Sequence, residues 1–147
     1  MNFSSLDAIS NNRSWVYVDD KYRFQISVPN TWVVMDGRGA GPYAIAAFGK
    51  SKYMNDDRYV GEWFIEMYDS SDWTIDSINS DIGLKKVSKQ EIIIQGYPAI
   101  KVQGMTKGSP QSLNSIFLEK NGYIFEIFDG GSGLPDFDGF FNSFKFL

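Results

Sequence analysis

Hydrophobic and polar positions alternate with a period of two along most of this chain, and that period predicts strands. Residues 15–18 are rich in β-forming types, and in residues 23–28 Phe24, Ile26 and Val28 share one face. Pro29 ends that run by withholding a ladder donor. Residues 43–48 form a third strand and residues 62–68 a fourth, with Trp63, Ile65 and Met67 on one face and Glu62 and Glu66 on the other. Residues 86–95 and 99–105 flank Gly96-Tyr97-Pro98, which reads as a tight hairpin connection. Residues 115–120 and Tyr123–Asp129 flank Asn121-Gly122, the strongest two-residue hairpin signal in the chain.

The period changes to that of a helix in two places. Residues 74–82 put Ile75, Ile78 and Ile82 on one side, with Asp72 or Thr74 as N-cap and Gly83 placed to stop the helix. Residues 136–144 present Phe137, Phe140, Phe141 and Phe144 at i, i+3, i+4 and i+7, a single apolar stripe that reads as core packing. Gly139 inside that stripe costs about 1 kcal/mol relative to Ala, so packing must outweigh propensity there.

The last hairpin is apolar on both faces: Tyr123, Phe125 and Ile127 on one, Ile124 and Phe128 on the other. A sheet of that kind needs cover on both sides. The expected fold is therefore α+β, a mostly antiparallel central sheet sandwiched by helices in α/β/α layers. Residues 1–14 read as a polar, flexible arm and residues 15–147 as one domain, in keeping with a length of 147 residues.

Composition prunes the functional classes. With 43% hydrophobic and 16% aromatic residues the chain has ample material for a packed core. Net charge is -4, the wrong sign for nucleic acid or a simple hold on anionic lipid. No apolar run approaches the roughly 20 residues of a membrane span. The sequence contains no His and no Cys, which rules out a Ser-His-Asp triad, a Cys-His dyad, an imidazole metal site and a zinc–thiolate cluster within this chain. Carboxylates, Lys, Tyr and hydroxyls remain for acid–base work, and an oxygen-ligand cation such as calcium stays open.

Three segments stand out in order: Tyr22-Arg23-Phe24-Gln25-Ile26-Ser27-Val28-Pro29-Asn30-Thr31-Trp32, Ile92-Ile93-Ile94-Gln95-Gly96-Tyr97-Pro98-Ala99-Ile100-Lys101-Val102, and the ending Phe137-Asp138-Gly139-Phe140-Phe141-Asn142-Ser143-Phe144-Lys145-Phe146. Together they resemble the PsbP-like domains, relatives of an extrinsic subunit of the oxygen-evolving photosystem. The resemblance covers roughly residues 15–147 and implies a layered sheet-and-helix scaffold without a common chemistry. Characterised relatives serve as accessory subunits or bind a small GTPase, so the resemblance implies a non-enzymatic module working through protein contacts. Nothing here matches a photosystem-binding motif. Many bacterial relatives are exported or lipid-anchored, so the expected location is extracytoplasmic if a leader has been removed and cytoplasmic otherwise. The opening residues themselves have neither the basic nor the apolar region of a signal peptide.

Candidate sites each compete with a plainer reading. The irregular segment 49–61 carries Tyr53, Met54, Arg58 and Tyr59, types that anchor protein interfaces. With Arg38 these form the expected surface for an unidentified protein partner, and alanine at Tyr53, Arg58 and Tyr59 is expected to abolish capture. The glycine-rich loop 36–42 lacks the following helix and the Gly-Lys-Ser/Thr of a phosphate cradle and reads as a turn.

Asp129, Asp136 and Asp138 surround a second glycine loop. They are the expected ligands if a calcium-type cation binds, against a plainer reading as dipole partners of the last helix. Asp69, Asp72 and Asp76 cluster at the other helix start, where carboxylates ordinarily cap. Lys85, Lys86 and Lys89 read as protection of an exposed strand. The favoured function is a binding or assembly module without catalysis or cofactor, monomeric. The alternatives are a divalent-cation-binding domain and a carboxylate-dependent hydrolase.

Overall fold

The computed structural model describes residues 14–38, 40–50, 61–106, 112–130 and 132–147. Ten strands and two short helices occupy these residues: β1 (Ser14–Asp19), β2 (Phe24–Pro29), β3 (Trp32–Asp36), β4 (Ala44–Lys50), β5 (Trp63–Asp69), α1 (Ile75–Asp81), β6 (Lys85–Ile94), β7 (Tyr97–Met105), β8 (Ser112–Lys120), β9 (Tyr123–Asp129), α2 (Phe137–Asn142) and β10 (Lys145–Phe146). The main sheet has seven strands in the order β3-β4-β5-β9-β8-β7-β6, and a second sheet has the order β1-β2-β10. Every pairing between named strands is antiparallel.

This arrangement corrects the expected α/β/α layering. Strands take up 60% of the described residues and helices 11%, and the layer over the inner face of the main sheet is chiefly another sheet. Phe24, Ile26 and Val28 of β2 point into the core together with Phe137, Phe140, Phe141 and Phe144 from α2 and its C-terminal end. Two helices of six and seven residues are too short to cover a seven-stranded sheet, since each residue adds only about 1.5 Å of length. Two strands escaped the sequence reading, β3 and β10. Each is short, and β3 follows Pro29 after only Asn30 and Thr31.

Trp63 on β5 sits at the centre of the core, fully buried, with its ring centroid 4.3 Å from that of Trp32 and 4.6 Å from that of Phe140. Phe24 stacks on Phe144 at 5.1 Å. Ser143 locks the two layers, donating from Oγ to the Phe140 carbonyl while accepting from the Ser27 amide.

Local chemistry explains the turns. Asn121 and Gly122 both have positive φ, 55° and 83°, the pairing a tight type I′ hairpin demands. The β6–β7 turn is the same device one residue earlier than expected: Gln95 and Gly96 have φ of 49° and 77°, so Pro98 belongs to β7 opposite Ile93. α1 starts at Thr74 as N-cap, which with Ser77 makes a reciprocal capping box. Gly83, φ 70°, follows its end.

Candidate groove on the outer face

The outer face of the main sheet has less cover than the inner one. Tyr43, Trp73 and Ile75 pack with Ile78 against Tyr68, Val102, Phe117 and Ile124, and this patch roofs the middle of the sheet. Toward the β6–β7 turn the cover ends.

There the sheet itself splits. β7 and β8 pair from Met105–Ser112 to Ile100–Phe117 and no further. Two more steps in this register would set Pro98 opposite Glu119, but proline has no N–H to continue a ladder. The two strands part, and a groove of about 570 Å³ opens between them and α1. Phe117 and Ile100 form its floor, Ile93, Pro98 and Ile75 its walls, and Glu91 and Glu119 its rim. A smaller hollow continues it along β6 past Lys89 and Gln90. Ile93 is 65% exposed, the largest value among the exposed large hydrophobic residues described.

β6 ends the main sheet. Its residues Lys85–Glu91 are all exposed, and among the described residues no backbone pairs with its outer side. Lys85, Lys86 and Lys89 lie on this edge as the sequence suggested. Lys89 forms an ion pair with Asp76 of α1, whereas Glu91 and Glu119 have no ion-pair partner among the described residues.

A second constellation lies under the roof. Glu66 of β5 and Glu126 of β9 are direct partners in the register. Glu126 is 4% exposed, and burial pushes its carboxyl up to about 7, with the Glu66 charge acting in the same direction. Hydrogen bonds from Ser115 and Tyr68 pull the other way. Tyr68 donates to Glu66 Oε2 at 2.7 Å, and its own hydroxyl is pushed far up by burial. Tyr43 stacks on the Tyr68 ring at 4.6 Å and Trp73 meets it edge-on at 5.4 Å. Sequence reading put Glu66 on a polar face, yet that face is half-buried here. The available signal was Glu126 inside the apolar run Ile124-Phe125-Glu126-Ile127-Phe128.

The residues singled out from sequence take other places. Tyr53, Met54, Arg58 and Tyr59 lie outside the described residues. Arg38 is exposed on the β3–β4 connection, where its Nε bonds Asp36 at 3.1 Å and its guanidinium lies 3.8 Å from Asp19. Asp19 is buried and accepts from the Tyr22 amide at 2.9 Å and the Tyr17 hydroxyl at 3.2 Å. Burial, then the Asp19 charge, pushes the Tyr17 phenol up to about 12.

Asp129 is buried and accepts from the Ser132 amide and hydroxyl, while Asp136 and Asp138 are exposed at the start of α2. Among the described residues no three acidic side chains form a group able to hold a metal ion. Asp69 accepts from the Ser71 amide and hydroxyl, and these bonds hold its carboxyl below the usual range.

The chain is similar to the solution structure of cyanobacterial PsbP (CyanoP) from Synechocystis, with a TM-score of 0.56 and 15% identity over 92% of this chain and 94% of that one. It is also similar to a crystal structure from Bacteroides thetaiotaomicron, with a TM-score of 0.45 and 10% identity over 92% of this chain and 49% of that one. A third likeness is to a Pseudomonas aeruginosa protein of unknown function, with a TM-score of 0.37 and 14% identity over 86% of this chain and 90% of that one. No family model and no curated protein matches the sequence. The cyanobacterial likeness, near-complete in both chains, shows that the fold is PsbP-like, as the three sequence segments implied.

Proposed function

We propose that this protein is a non-catalytic recognition module that works through protein contacts, and that the outer-face groove beside β6 is its contact surface. One observation carries the reading: Ile93 is exposed on the wall of an apolar groove whose rim carboxylates have no ion-pair partner among the described residues. Exposed apolar residues gathered around a concavity and rimmed by polar groups mark interaction sites. The PsbP-like fold, whose named cyanobacterial example is similar along nearly its whole length, is compatible with such a role.

A photo-crosslinking side chain placed at Ile93 tests this in an extract of the source cells, with one placed at the remote Tyr123 as control. The expected result is a discrete adduct from position 93 that disappears when Ile100→Glu is added and is absent from position 123. Equal labelling from both positions contradicts the assignment.

A further inference from the structure

We infer that the free edge of β6 takes an extended segment of a partner protein as an added strand, with an apolar side chain of that segment seated in the groove and basic side chains held by Glu91 and Glu119. This rests on the groove being the contact surface and specifies what occupies it.

Edge strands present unpaired N–H and C=O groups, and proteins usually blunt them with lysines, prolines or bulges, or cover them. β6 is blunted over only part of its length. Its first half carries Lys85, Lys86 and Lys89 and a break in register between Lys85 and Ser88. The second half, Gln90–Ile94, carries neither lysine nor proline and pairs with β7 in unbroken register. Three consecutive isoleucines lie there, a stiff extended stretch of high β propensity. Ile92 packs against the inner core and Ile94 is buried in it, which leaves Ile93 for the groove side. Five residues of strand span about 17 Å, enough to align a short peptide by backbone hydrogen bonds while alternate side chains reach the groove.

The chemistry of the occupant follows from the rim. Glu91 lies opposite Ile100 across the β6–β7 ladder and Glu119 sits two residues past Phe117 on β8, so both acids share the face of the groove. A segment whose groove-facing positions, every second residue, carry an apolar residue flanked by basic ones satisfies floor and rim together. Lys89, engaged with Asp76, marks the end of the acidic stretch, because a basic residue placed beyond it meets like charge.

The test uses two fluorescent seven-residue peptides, Thr-Lys-Thr-Val-Thr-Lys-Thr and Thr-Glu-Thr-Val-Thr-Glu-Thr, which carry valine and both charges on one strand face, measured by fluorescence anisotropy against the full chain. The lysine peptide is expected to bind at least about tenfold more tightly than the glutamate peptide. N-methylation of alternate backbone nitrogens on its hydrogen-bonding edge is expected to weaken it by about tenfold or more. Glu91→Lys with Glu119→Lys is expected to reverse the charge preference. Asp20→Lys with Asp138→Lys makes the same change in net charge elsewhere and is expected to leave the preference in place, and circular dichroism checks the folding of each variant.

Binding that N-methylation does not weaken but Ile93→Asp abolishes overturns strand addition and leaves the groove as contact surface. Binding indifferent to Ile93→Asp, or no binding, overturns both. Sedimentation showing a dimer that Ile93→Asp dissociates overturns the inference in favour of a second copy of this chain on the edge.

Discussion

Glu66 and Glu126 stand directly across from each other on β5 and β9, two carboxylates paired in register beneath an aromatic roof. Like charges so placed repel, and burial adds to the cost of ionising the deeper one. The Glu126 carboxyl is pushed up to about 7 from an ordinary 4.5, so the folded state holds this proton more tightly than the unfolded chain does. Its contribution to stability is fully present below about pH 4.5 and is lost as pH rises toward 7. The shift corresponds to about 3 kcal/mol. Glu126→Gln removes the titration while keeping an acceptor for Ser115 and Tyr68. Thermal unfolding of the two proteins from pH 4 to 8 is expected to show the variant gaining on the natural chain by about 5–10 °C across that range. Parallel curves would refute the assignment.

Asn79 in α1 is 4% exposed, and its side-chain amide has no hydrogen-bond partner among the described residues. A buried, unsatisfied amide costs about 1–3 kcal/mol. Asn79→Leu, which keeps the same side-chain branching without polar atoms, is therefore expected to raise stability by about 1 kcal/mol in urea titration with an unchanged m-value. A destabilised variant would mean the amide has a partner.

Gly104 on β7 is buried, and a Cβ built there would lie 2.6 Å from Leu84 Cγ. The clash involves a branch carbon rather than a flexible tip, so Gly104→Ala is expected to cost about 1–3 kcal/mol. Leu84→Ala in the same background should recover part of that loss, and a double-mutant cycle in urea measures the recovery.

Asp19 is buried and accepts from Tyr22 and Tyr17 beside the Arg38 guanidinium. Asp19→Ala leaves these donors without their acceptor and is expected to cost about 1–3 kcal/mol, read as a lower unfolding midpoint. Arg38→Ala, at an exposed partner, is expected to cost less than about 1 kcal/mol.

Much of the fold was legible because local rules and packing agree. Asn121-Gly122 announced its hairpin through turn chemistry, and the Phe137, Phe140, Phe141, Phe144 spacing announced a buried helical stripe. The layering was misjudged because an apolar outer face asks for cover without saying whether a helix or a strand supplies it. β2 shows this: its alternation identified a strand, but not that the strand belongs to a second sheet lying over the first. The groove depends on where the β7–β8 ladder stops, and that register is a tertiary fact. Its sequence traces are Pro98 and the two-sided run Ile92-Ile93-Ile94. Glu66 was legible only as lying opposite the Trp63, Ile65 and Met67 face, because alternation identifies opposite faces without saying which of them is wet.

Amide chemical-shift mapping locates the bound peptide on the sheet. A uniformly ¹⁵N-labelled chain would be titrated with the unlabelled lysine peptide. The expected perturbations gather on Gln90–Ile94, Ala99, Ile100 and Phe117–Glu119, and they vanish in Ile93→Asp. Perturbations gathered instead around Lys21–Arg23 and Lys120–Tyr123, or none at saturating peptide, would contradict the groove as the contact surface.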